Sequence, residues 1–138
     1  IVFAKSCAKH INNNFTREVL KANKDWDASR VEPSKEKVVV AHLWDEVRRL
    51  MWNFVGIVRS DKRLQTAHQR LNQIHQEVDD YYSSYTLTDD LIELRNLVQT
   101  AQIIVESALS RKESRGLHYN VDHPEQKVKG DNSVIIKP

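Results

Sequence analysis

Apolar residues recur along this chain with three separate helical rhythms, each bounded by polar turn residues. From about residue 35 to 58, Val40, Leu43, Trp44, Val47, Leu50, Met51, Phe54, Val55 and Val58 form one wide stripe at three-and-four spacing, which predicts a core-facing helix. Ser60 is placed as an N-cap with Asp61 in the first turn, and Leu64, Ala67, Leu71, Ile74 and Val78 then continue in nearly heptad order. Thr88, followed by Asp89 and Asp90, opens a third helix that carries Leu91, Leu94, Val98, Ala101, Val105 and Ala108 to about residue 112. Links of a few residues oblige three amphipathic helices to pack as neighbours running up, down and up. The expected fold is therefore all-α, a three-helix bundle over residues 35–112.

Two flanking regions are less regular. Residues 1–34 show helical spacing in Val2, Phe3, Cys7, Ala8 and Ile11, meet Asn12, Asn13 and Asn14, and resume at Phe15, Val19 and Leu20. Asparagine is a poor helix former. One broken helix or two short ones are expected, followed by a loop with Trp26 and Pro33. Residues 113–138 read as an irregular C-terminal tail with local apolar patches, the last being Val134, Ile135 and Ile136. Arg111 and Lys112 stand where a helix C-terminus favours cations, and Gly116 is suited to the left-handed conformation that closes a helix.

Composition narrows the functional classes. With 21 basic and 19 acidic side chains the net charge is +2, too balanced for a broad field that attracts nucleic acid. No run reaches the roughly 20 apolar residues that a membrane span needs. A single cysteine, Cys7, excludes an internal disulfide, fits a reducing cytoplasm and is expected as a small buried hydrophobe among Ala4, Ala8 and Ile11. The first residue is Ile1, so the chain is expected to be cut from something longer.

Candidate chemistry is sparse. Three glycines cannot build a phosphate cradle, and none follows a predicted strand. His68 and His75, seven apart, lack further ligands and are read as flanking polar residues. His118 and His123 beside Asp122 and Glu125 form a ligand set without fixed geometry. Arg48, Arg49, Arg59, Lys62 and Arg63 cluster near a helix junction, but Trp52 and Phe54 are assigned to packing rather than base stacking. The densest cluster, RKESRGLHYNVDHPE at 111–125, reads either as a helix stop with a cap network closed by Arg115 and Glu113, or as a docking element.

The strings LWDEVRRLMWNFVGIVRSDKRL at 43–64 and ELRNLVQTAQIIVESALSRKESRGLHYNVDHPE at 93–125 resemble the C-terminal helical domain of the L-aspartate oxidase family. WDASRVE at 26–32 and VVVAHLW at 38–44 share that likeness, which runs in register to about residue 125. The MW–VGIVR core and the ESRG-x-H string are similar more broadly to succinate dehydrogenase and fumarate reductase flavoproteins. The resemblance implies a cytoplasmic FAD enzyme that oxidises L-aspartate to iminoaspartate for quinolinate and NAD synthesis. Its catalytic and flavin-binding groups lie in domains that precede this segment, so no catalytic, cofactor or metal residue is carried onto this chain. The segment itself is expected to bind no FAD and to dock on the flavin-binding domain, with Arg115, Gly116, His118 and Tyr119 as the contact. Homodimerisation through an uncovered face is a further expectation, and a free-standing helical interaction module is the reading from a different class.

Overall fold

A computed structural model describes residues 1–16, 24–25, 27–33 and 37–130. The elements in chain order are α1 (Val2–Asn14), α2 (Lys37–Phe54), β1 (Val58–Arg59), α3 (Asp61–Ser84), α4 (Asp89–Ser110) and β2 (Tyr119–Asn120). Trp26, the stretch at 17–23 and the apolar triplet at 134–136 lie outside the described residues.

The core belongs to α2, α3 and α4. Leu43, Val47 and Leu50 face Leu64, Ala67, Leu71, Ile74 and Val78 and the buried row of α4 from Leu94 to Ala108. Trp44, Met51 and Phe54 pack half-buried against the edge of that cluster. Both predicted caps form: Ser60 Oγ accepts from the Arg63 N–H at 3.3 Å, and Thr88 Oγ1 accepts from the Leu91 N–H at 3.3 Å. Cross-contacts give α3 and α4 opposite directions. Tyr82 lies under the Arg95 guanidinium at 4.9 Å, Asn72 accepts from Gln102 at 3.0 Å, and His68 approaches Glu106 at 3.8 Å. Arg70 ties α3 to α2 by a bidentate pair with Glu46, at 2.5 and 2.9 Å.

Four expectations need correction. Trp52 is not a packing residue but is 83% exposed, because its place five residues beyond Val47 turns it about 140° from the core direction. Cys7 is exposed, as is every residue of α1, whose apolar side is left uncovered among the described residues. Helix α2 stops at Phe54 rather than near residue 58: Arg59 Nε donates to the carbonyls of Val55 and Gly56 at 3.2 and 3.1 Å, supplying partners for the helix end. Helix α4 stops at Ser110, with Arg111 in extended conformation, so neither Arg111 nor Lys112 stands in its last turn.

Candidate functional site at the helix junction

Beyond α4 the chain folds back over the α2–α3 junction. Strand β2 pairs in parallel with β1, setting Val58 beside Tyr119 and Arg59 beside Asn120, and the Val121 N–H donates to the Arg59 carbonyl at 2.9 Å. Neither strand was foreseen in the sequence. Gly116 does adopt a left-handed conformation, φ +61°, yet the feature it closes is not the helix. It occupies the first central position of a two-residue hairpin in which Arg115 and His118 exchange N–H···O bonds of 2.9 and 3.1 Å.

Two carboxylates hold this fold-back. Glu113 is fully buried and accepts from Arg111 at 2.9 Å, twice from Arg115 at 3.1 Å, and from the Lys127 N–H at 3.0 Å. The Arg115 hydrogen bonds are the chief cause that draws its pKa down from 4.5 to about 2, against the opposing effect of burial. Arg115 also donates to the Lys127 carbonyl at 2.7 Å, and Gly130 lies so near that an added Cβ would stand 2.9 Å from Arg115 Nε. One ion pair thus fixes the path of the chain through residues 125–130.

Asp61 is the second anchor. Its carboxylate accepts from Lys112 Nζ at 2.8 Å and from the side chain of buried Asn120 at 2.8 Å, and meets His123 Nε2 at 3.0 Å. Its own N–H donates to Asp122 at 2.7 Å, filling a helix N-terminal donor of α3. The bond from Lys112 first, then those from Asn120 and His123, hold its pKa well below the usual carboxylate range. Ser114 Oγ accepts from the Asn120 N–H at 3.0 Å and donates to the His123 carbonyl at 2.8 Å.

Of the four expected contact residues, two are engaged inside this clasp. Arg115 binds Glu113, and His118 Nδ1 accepts from Arg59 at 2.9 Å. Burial and the Arg59 charge push the His118 pKa below 6.5, so the ring stays neutral near neutral pH. Gly116 and Tyr119 remain exposed. His118 and His123 do not converge with Asp122 and Glu125: among the described residues, no group of three or more His, Cys, Asp or Glu is placed to hold a metal ion. Asp61 and Asn120 were missed as partners in sequence, for they lie 59 residues apart, and the local signal of Asp61 pointed only to the start of α3.

A groove of about 770 Å³ lies between Pro33, Val40, Trp44, Tyr81 and Leu91, with Asp45, Asp90 and Glu93 among its polar lining. No cation appears among the described residues lining it. An anionic group in this groove would face the carboxylates of Asp45, Asp90 and Glu93.

The bundle and its clasp define a helical domain whose polar cluster is engaged in internal contacts. The chain belongs to the fumarate reductase flavoprotein C-terminal family, whose pattern matches residues 44–134. It is 46% identical to an L-aspartate oxidase of Yersinia pestis over 100% of this chain and 26% of that protein. It is 50% identical to an L-aspartate oxidase of Pseudomonas aeruginosa, over 82% of this chain and 21% of that protein. The chain thus spans about a quarter of the length of these relatives. A Mycobacterium smegmatis Sdh1 complex in the apo form contains a similar fold, with a TM-score of 0.57 and 21% identity over 93% of this chain and 20% of that one.

Proposed function

We propose that this chain is the C-terminal helical domain of an L-aspartate oxidase, the FAD-dependent enzyme that converts L-aspartate to iminoaspartate for quinolinate and NAD synthesis. The observation that carries this reading is the 46% identity to the Yersinia pestis L-aspartate oxidase along the whole of this chain. FAD, held elsewhere in the polypeptide, supplies the two-electron acceptor. This domain contributes shape: the Glu113 and Asp61 clasps fix the fold-back, Arg115 and His118 hold its hairpin in place, and exposed Gly116 and Tyr119 face the flavin-binding domain. The enzyme works in the cytoplasm, free of membrane and nucleic acid.

The complete polypeptide, purified with its flavin, tests the proposal. Aspartate-dependent peroxide formation, or aspartate-dependent reduction of fumarate, is the expected result. Oxidation of succinate without oxidation of aspartate would overturn it in favour of a succinate dehydrogenase or fumarate reductase flavoprotein, the reading that the family match also accommodates.

A further inference from the structure

Five large apolar side chains stand out of the fold-back: Ile57, Val58, Leu117, Tyr119 and Val121, with Ile57 86% and Leu117 96% exposed. Val58 and Tyr119 are paired across the strands, and Ile57, Leu117 and Val121 lie within two residues of them in sequence. The β1–β2 register sets Val58 beside Tyr119, and the strand alternation that turns Asn120 inward leaves Tyr119 and Val121 outward. Nor are they loose. The Val121 N–H is bonded to the Arg59 carbonyl, and the Arg115–His118 hairpin fixes Leu117 at its tip. A local concentration of exposed apolar groups on an ordered frame marks an interaction surface, and a frame already ordered loses little entropy on association.

We infer that these five residues form the seat for the rest of the same polypeptide. This deepens the proposed function and rests on it. The occupant follows from chain length: the relatives are about four to five times longer than this chain, and the Mycobacterium smegmatis fold also makes up 20% of a longer chain. A domain carried in cis meets its neighbour at high effective concentration, so a modest apolar face suffices. Arg115 and His118 act here as positioning residues, holding the face through Glu113 and Arg59, while the contact itself is apolar.

Hydroxyl-radical footprinting of the complete polypeptide at concentrations where it is monomeric tests the seat. Val128, fully exposed and outside this face, is the reference. Loss of labelling at Leu117 and Tyr119 relative to Val128, corrected for intrinsic reactivity, is the expected result. The double variant Leu117→Ser, Tyr119→Ser should restore labelling at Ile57 relative to Val128. Leu117 labelled as freely as Val128 would overturn the inference, as would protection that appears only when the polypeptide dimerises, which assigns the face to a second copy. Flavin absorbance and aspartate oxidation measured on the same preparation separate the two ideas. An active flavoprotein with Leu117 freely labelled overturns the seat alone; a colourless, inactive polypeptide with Leu117 protected overturns the enzymatic reading and supports the seat.

Discussion

A carboxylate without solvent keeps its charge only where donors surround it, and Glu113 meets that condition through two guanidinium groups and the Lys127 N–H. Replacing it by Gln keeps the shape and removes the charge, leaving Arg111 and Arg115 against a neutral amide that accepts fewer bonds. The Glu113→Gln protein should melt at lower temperature, Glu113→Ala lower still, and the Lys127 amide should exchange faster in both. An unchanged melting temperature together with an unchanged Lys127 exchange rate would show that the pair does not hold the fold-back. Gly116 presents a purely backbone case. Nothing lies within 4 Å of its absent Cβ, so Gly116→Ala meets only the left-handed conformation at φ +61°, a cost of about 1–2 kcal/mol. Urea unfolding would read that loss directly, and a neutral effect would mean the hairpin can relax to another turn.

At the scale of elements, α4 depends on a cap that is local in sequence and easily tested. Thr88→Ala removes the acceptor for the Leu91 N–H and should destabilise the protein by about 1 kcal/mol, as a lost N-cap does. Leu71→Ala in the middle of α3 empties a fully buried site and should cost about 2–5 kcal/mol. Chemical denaturation of the two variants should rank them in that order. Both predictions rest on features already legible in the sequence, since the stripes from Leu64 to Val78 and from Leu91 to Ala108 and the two caps arise from neighbours within one or two turns. The fold-back was not legible. Two-residue strands have no periodicity to detect, and the Asp61–Asn120 and Arg59–His118 contacts join positions 59 residues apart that only the closed bundle brings together. Arg111, Lys112 and Gly116 do follow a helix end, but their roles were misread: Arg111 pairs with Glu113 two residues on, Lys112 with distant Asp61, and Gly116 turns a hairpin. Trp52 was misplaced by its company, as an aromatic beside Met51 and Phe54 in sequence lies on the opposite side of the helix.

For the whole molecule, Glu113, Asp61 and His118 act in one direction with pH. Glu113 binds a proton near pH 4.5 when unfolded and only near about pH 2 when folded, so the unfolded state takes up more protons across that interval. Stability from Glu113 is therefore complete above about pH 5 and is lost as the pH falls toward 2. Asp61, its pKa also held down, adds to the same loss at the acid end. His118 has a folded pKa below 6.5, so its unfolded form gains a proton first and stability begins to decline as the pH drops below that value. The core of α2, α3 and α4 contributes no comparable slope, being built of Leu, Ile, Val and Ala. The urea midpoint should accordingly fall in two stages, a shallow one below about pH 6.5 and a steeper one below about pH 4.5. Glu113→Gln should start from a lower midpoint at neutral pH and flatten the second stage while leaving the first in place, because it removes the proton uptake at one site and leaves His118 untouched. Wild-type and Glu113→Gln curves that stayed parallel from pH 4.5 to 2 would place the acid sensitivity somewhere other than the buried carboxylate.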